Sequence, residues 1–373
     1  MKSSSAMKTS RRSLRALWAQ KTTRQNLITF GLVIIAFAVA QTLVLTGSIS
    51  SLFRGLLVPL CTYVILAISL NLTVGILGEL SLGHAGFMCV GAFTSAFFSV
   101  AVSEVITSPW IRFPLALLIG GISAAVFGLI IGIPILRLRG DYLAIVTLAF
   151  GEIIKNIFNV LYVGIDSRGL HISTQDMMSL NLEPGGRVII NGAMGITGAP
   201  RDSNFIVGFV LVLLTLVIVL HMIHSRTGRA VMSIRDNRIA AESVGVNVTK
   251  YKLIAFVTSA FLAGIAGVLY AHNLSTLTAL PKNFGYNMSI MILVFVVLGG
   301  LGNIRGSMIA AIILTVLPEL LRGLQDYRML IYAIVLIALM IFNSSPKFDR
   351  VREKLKFRGL LARFFKGKRK GVQ

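Results

Sequence analysis

"RLRGDYLAIVTLAFGEIIKNIFNVLYVG", residues 137–164, reads as a membrane helix with a carboxylate, an amine and two amides in its second half. Glu152 lies 11 residues after Asp141, which is about 16 Å along a helix rising 1.5 Å per residue. That is near the middle of a hydrocarbon layer about 30 Å thick. At about 100° per residue, Asp141, Glu152, Lys155, Asn156 and Asn159 fall on one side. Glu152 and Lys155 are three apart, a spacing at which side chains on a helix pair. A lone charge at this depth is costly. The stripe is therefore expected to face protein or a water-filled path, never lipid. Two readings stay open: an ion pair that holds helices in register, and a part of a translocation path.

The rest of the chain agrees with a membrane setting. Of 373 residues, 55% are hydrophobic and 13% charged, and mean hydropathy is +0.82. A soluble domain carries about twice that share of charge. Cys61 and Cys89 both sit in apolar runs and read as small core residues, not as a disulfide framework or a metal site. The net charge of +22 is gathered in clusters. Residues 1–25 hold Lys2, Lys8, Arg11, Arg12, Arg15, Lys21 and Arg24 with no acid, and the tail from Lys347 holds eleven Lys or Arg. Arg226, Arg229, Arg235, Arg238, Lys250 and Lys252 form another cluster. Basic residues beside spans mark the cytoplasmic face and sit well on anionic headgroups. No base-reading motif or aromatic platform accompanies the charge, so nucleic acid is not expected as a partner.

An all-α polytopic membrane protein is expected, with about ten spans: 27–46, 53–77, 85–102, 112–136, 141–163, 204–224, 253–273, 286–301, 306–322 and 328–343. The run from Leu27 to Leu45 is read as an uncleaved first span. With both termini cytoplasmic, the terminal clusters, "RLR" at 137–139 and the 225–252 loop all fall inside. Segment 1–26 is then a basic cytoplasmic lead, 27–343 the permease domain, 164–203 an external loop and 344–373 a basic cytoplasmic tail. Spans 85–102 and 286–322 are glycine-rich and could be re-entrant, with eight spans as the fallback.

Two stretches look like deliberate helix breaks: "VGILGELSLGHAGF" at 74–87 and "VLGGLGNIRGSM" at 297–308. Glycine lets backbones approach closely and frees backbone groups at breaks. Broken spans in corresponding halves often flank a transport site; close helix packing is the plainer reading. Asn71, just before the first break, and His84 within it are candidates for the pathway or for helix pairing. For His84 a proton relay and a satisfied packing role both stay open.

In the loop 225–252, Ala230, Val231, Ile234, Ala241 and Val244 recur at helical spacing among Arg235, Asp236, Arg238 and Glu242. Gly245 fits a helix stop, and Asn247 or Thr249 can begin the next helix. A short amphipathic helix pair is expected on the cytoplasmic face, as a connector on headgroups or as a docking surface. No G-x-x-x-x-G-K-[ST] loop occurs, and no Ser/His/Asp or metal-ligand cluster points to catalysis. The chain is read as a transport protein without cofactor, not an enzyme, driven by another subunit or by an ion gradient. Glu152 is the best coupling acid for an ion-driven transporter.

Five segments carry a family resemblance: "LNLTVGILGELSLGHAGFMCVGAF", "PILRLRGDYLAIVTLAFGEIIKNIF", "GRAVMSIRDNRIAAESVGVNVTKYKLIAF", "VVLGGLGNIRGSMIAAIILTVLPELLR" and "YRMLIYAIVLIALMIF". Over roughly residues 55–345 the chain resembles the branched-chain amino acid ABC transporter permeases of LivM type, whose near relatives include urea permeases. The resemblance implies a LivH-type second permease, two cytoplasmic ATPases and an external binding protein that delivers leucine, isoleucine or valine. It also implies a bacterial cytoplasmic membrane and transport by alternating access. Gly228, Arg229, Arg235 and Asp236 lie in the family-specific part of the loop. Ala240, Ala241 and Gly245 match the permease coupling motif, in which Ile239 stands where a Glu is usual. The Gly-rich, polar 164–203 loop resembles the family's external loop; two readings stay open for it, a solvated polar connector and a docking place for the binding protein.

Overall fold

The computed structural model describes residues 21–47, 50–138 and 140–344. Most of the basic lead and tail, residues 1–20 and 345–373, lies outside the described residues, as does Arg139. Among the described residues, nine helical stretches are long and apolar enough to cross a membrane. They are α1 (Lys21–Leu45), α2 (Ser51–Asn71, prolonged by a wide π turn over Leu72–Leu77), α3 (His84–Ala101), α4 (Pro109–Ile135) and α5 (Asp141–Val160). Then follow α6 (Phe205–His224), α9 (Val248–Ala271), the pair α10 (Pro281–Phe284) and α11 (Tyr286–Gly299), and α12 (Ile304–Leu320). Two short helices, α7 (Arg226–Asp236) and α8 (Arg238–Ser243), sit between α6 and α9. Over the tenth expected span lies α13 (Arg328–Ser344), which runs to the last described residue.

The described residues up to Ile312 form one compact unit and those from Ile313 a second. In the second, Arg322 pairs with Glu319 at 2.9 Å ahead of α13. The first is built around α9, which packs against α4, α3 and α2. Apolar burial drives little association in lipid, so close van der Waals packing of small residues holds such helices together. Gly91 on α3 and Gly264 on α9 touch backbone to backbone. A Cβ on Gly91 would lie 2.4 Å from the Gly264 carbonyl oxygen, and one on Gly264 would lie 2.8 Å from that of Gly120 on α4.

The 164–203 segment departs from the expected polar connector. It carries four strands, β1 (Tyr162–Asp166), β2 (Gly169–Ser173), β3 (Arg187–Asn191) and β4 (Ile196–Thr197). With β5 (Thr276–Leu277), these form an antiparallel sheet ordered β2-β1-β3-β4-β5. The helical class holds for the spans; the sheet is an addition to it. β1 also ends the predicted 141–163 helix early, at Val160. Asp166 organises the β1–β2 turn: its carboxylate accepts from the backbone N–H groups of Arg168 (2.8 Å), Gly169 (3.1 Å) and Glu183 (3.2 Å), and from the His171 ring (3.0 Å). Burial raises the Asp166 carboxyl, but these donors outweigh it and hold it below the usual carboxylate range. Nearby, the Arg112 guanidinium clasps the Asp202 carboxylate through Nε (2.9 Å) and Nη2 (2.8 Å), both side chains buried. α9 therefore runs from the α7–α8 pair at its start to the sheet at its end, about 36 Å for its 24 residues.

Substituting Leu for Gly264 should destabilise the bundle by about 3 kcal/mol or more, since backbone on two neighbours must separate. The check is the thermal unfolding midpoint of detergent-solubilised protein, and an unchanged midpoint would contradict the close packing.

Candidate functional site

The two glycine breaks predicted from sequence meet in space. The first helix persists to Leu77, turns at Gly78 (φ +81°), and restarts at His84. The second break runs from Gly300 (φ +93°) through Gly302 (φ +77°) to α12. Asn71 joins them. Its Oδ1 accepts from the Gly302 N–H at 2.9 Å, and its Nδ2 donates to Ser307 Oγ at 2.5 Å. The approach leaves no room for a side chain on Gly75, where a Cβ would lie 2.2 Å from the Gly302 nitrogen. Within the second break, Asn303 Nδ2 donates to the Gly299 carbonyl (3.3 Å), and its Oδ1 accepts from the Gly306 N–H (3.3 Å). Both arms are thereby capped by one side chain.

The first break is held by side chains from several elements. Thr147 of α5 accepts from the Leu82 N–H (3.0 Å), and Ser289 of α11 accepts from the Ala85 N–H at the start of α3 (3.1 Å). Lys252 of α9 forms a buried ion pair with Glu79. His84 is 2% exposed, with Nε2 against Ser69 Oγ at 2.7 Å. Arg235 comes from below, donating from Nη1 to the Gly75 carbonyl at 3.1 Å.

The loop 225–252 folds as expected into a short helix pair. Side chains of Ser225, Asn237 and Asn247 cap α7, α8 and α9 by accepting from the N–H groups of Gly228 (3.2 Å), Ala240 (3.1 Å) and Lys250 (3.0 Å). Gly228 fills a corner where a Cβ would lie 2.3 Å from the Met222 carbonyl oxygen, and Gly245 ends the pair at φ +84°. Arg229 donates to the His224 carbonyl (3.0 Å) at the end of α6, and Asp236 accepts from Arg235 (2.9 Å). Val231, Ile234 and Ala241 are buried beneath the pair. Val244, expected on that same apolar face, is instead 78% exposed, and Ile239 is 80% exposed. Because α7 and α8 are separate helices, one helical period does not run across both. Ala240 is exposed beside them.

On α5 the polar stripe splits. Glu152 and Lys155 form the expected ion pair, with Lys155 buried. Glu152 also does what its spacing does not reveal: Oε1 accepts from the Tyr286 N–H at 2.6 Å and so caps α11 where Gly285 separates it from α10. A carboxylate at a helix N-terminus is favoured by the helix dipole. Asn159 Nδ2 donates to the Ala279 carbonyl at 3.0 Å. Asn156 is exposed on this chain, beside Ile153 and Ile157. The small residues Ala144, Thr147 and Gly151 set the buried face, and the Glu152–Asn159 line lies to one side of it. Glu79, Ser307, Gly285 and Tyr286 carry no reading from sequence, and Lys252 enters it only as part of a basic cluster. Glu79, an acid inside a glycine-rich apolar break, carried a usable signal; a backbone N–H such as that of Tyr286 carried none.

Nine span-like helices among the described residues mark a multi-pass membrane protein. The family described as "branched-chain amino acid transport system / permease component" matches residues 51–342, and the chain belongs to it. It is 33% identical over 346 residues to the high-affinity branched-chain amino acid transport system permease protein LivM of Salmonella typhimurium, covering 90% of this chain and 78% of that protein. Identity to LivM of Escherichia coli is 34% over 79% of this chain and 70% of that protein. The nucleoside ABC transporter permease protein NupC of Lactococcus lactis is 24% identical over 74% of this chain and 87% of that one. No solved structure matches the chain.

Replacing Glu152 with Ala should cost about 3–5 kcal/mol, because Lys155 is left charged and buried without its partner. Adding Lys155→Met should recover most of that loss. Thermal unfolding of the single and double variants measures it; equal midpoints for the two would refute the pairing.

Proposed function

We propose that the chain is one of two permease subunits of an ATP-driven ABC importer for leucine, isoleucine and valine, working by alternating access in a bacterial cytoplasmic membrane. The observation that carries this reading is the family match across residues 51–342. The helix pair α7–α8 supports it, since exposed Ile239 and Val244 flank the position where a cytoplasmic ATPase would dock. Arg226, Arg229, Arg235 and Arg238 put that end of the bundle inside by charge. The sheet end is then external and offers a folded platform for the binding protein, which can carry substrate selectivity. The second permease is of LivH type. Two ATPases would close on ATP, push on the helix pair and open the path outward; hydrolysis would return it inward. Glu152, held by Lys155 and the Tyr286 amide, is already committed to local structure. That favours ATP over an ion gradient as the drive.

A nucleoside permease among the relatives makes the substrate class the first thing to test. The chain is to be co-expressed and purified with candidate ATPases, a second permease and a binding protein from its host, and reconstituted in proteoliposomes. ATP-dependent leucine uptake, competed by isoleucine and valine but not by a nucleoside or urea, is the expected result. Ion-driven uptake by the chain alone would overturn the proposal.

Ile239→Asp with Val244→Asp should abolish ATPase co-purification while leaving membrane insertion and the unfolding midpoint unchanged. A bulky residue at Gly245 should reduce uptake per ATP, because its φ of +84° strains any L side chain. Full coupling in both variants, measured in proteoliposomes, would remove α8 from the docking surface.

A further inference from the structure

The contacts of α7 with the first break divide its residues into two kinds. Arg229 of α7 is exposed, as are Ile239 and Ala240 of the adjoining α8, whereas Arg235, its side chain 38% exposed, also reaches the first break. Nε and Nη2 of Arg235 donate to Asp236 Oδ1 at 3.1 and 2.9 Å, and Nη1 donates to the Gly75 carbonyl at 3.1 Å. Gly75 belongs to the π turn that ends the α2 helix. In that turn, regular i to i−4 pairing is interrupted, and a cation near the carbonyls at a helix C-terminus is favoured by the dipole. The planar guanidinium holds an acid and a carbonyl together; a lysine ammonium has no such fork. The fit is close, since a Cβ on Gly78 would lie 2.6 Å from Arg235 Cγ. Beneath it, Val231 of α7 is buried against Leu72, Ile76, Leu77 and Ala255.

Gly75 also meets the second break. The place of its missing Cβ is filled by Asn71 Oδ1 and by the Gly302 nitrogen, the latter at 2.2 Å. Gly75 therefore touches both the guanidinium of α7, through its carbonyl, and the second break, where no room is left for a side chain. Three residues further on, Gly78 adopts φ +81°, and the next residue, Glu79, is tied to α9 through Lys252. The turn has one end gripped by α7, one end anchored on α9, and a glycine between them that tolerates a large backbone rotation.

We infer that Arg235 is the positioning residue through which movement of the α7–α8 pair reaches the translocation path. It holds the Gly75 carbonyl, and Gly75 carries the displacement to Gly302, so that the two breaks shift together about Gly78. This inference rests on the ATP-driven reading above and assigns Arg235 to transmission, not to ATPase docking. Packed elements of this kind have discrete arrangements, so a small shift at one contact is not absorbed along the way.

The test uses the assembled transporter, comprising the chain with its second permease and ATPases, in proteoliposomes supplied with the binding protein and leucine. With Arg235→Gln, uptake per ATP hydrolysed should fall about tenfold or more, while co-purified ATPase stays at the wild-type level. Arg235→Lys should recover only part of the coupling. An unchanged ratio of uptake to hydrolysis overturns the inference, as does loss of the ATPases from the complex, which would make Arg235 a docking residue. A second measurement needs no variant: hydrogen exchange of the wild-type complex with and without ATP and vanadate. Peptides covering 225–243, 72–79 and 299–306 should change protection together. Change in 225–243 with none in 72–79 overturns the inference even where the Gln variant fails to assemble. A wild-type chain that binds no ATPase would instead refute the proposed function itself.

Discussion

A backbone polar group inside an apolar bundle must find a partner within the protein, because lipid offers none. That constraint is most acute where a helix stops inside the bundle, and here two helices stop beside each other. The Asn71 amide meets the need on both sides, accepting from the Gly302 N–H and donating to Ser307. Its two hydrogen bonds bind residues 231 and 236 positions apart in the chain. The glycines at 75 and 302 exist to let the backbones come within reach of that single side chain. An apolar residue at position 71 would leave the Gly302 N–H without this acceptor, at a cost of order 1–3 kcal/mol for a buried donor.

The remaining polar groups of the first unit follow the same rule. Thr147 and Ser289 receive N–H groups freed by the first break, Glu152 receives the one at the start of α11, and Arg235 gives a donor to Gly75. None of these partners lies in the segment it serves. The first break is satisfied by neighbouring helices, and the second by Asn71 from outside and by Asn303 from within. A side chain that satisfies a break also couples it to the helix that supplies the side chain. The same contacts that permit irregular backbone in the membrane thus connect the exposed helix pair to the centre of the molecule.

The sheet at the far end of α9 solves a different problem. Its strands are short, two to five residues, and β5 comes from the connection between α9 and α10. That pairing draws the α9–α10 connection onto the fold of the β1–β4 segment. The buried Arg112–Asp202 pair ties the start of α4 to the segment just ahead of α6. The polar end is therefore a shaped surface and not a set of free loops.

Much of this was legible in the chain itself. Hydropathy located nine spans to within a few residues, glycine density located both breaks, and helical spacing with Gly245 located the α7–α8 pair. The Glu152–Lys155 pair followed from a three-residue interval on one helix. These are local properties: each depends on residues within one or two turns of each other. The sheet escaped because its strands are too short to outweigh the glycines around them, although Tyr162–Ile165 and Arg187–Ile190 are rich in β-branched residues. The exposure of Asn156 and Val244, the capping of α11 by Glu152 and the meeting of Asn71 with Gly302 had no local signature. They depend on which helix faces which, and that is decided by where small residues let backbones touch. The sequence by itself determined the helices and where they break. Only the tertiary structure decided which broken ends share a partner, because a hydrogen bond between distant segments leaves no periodicity in either.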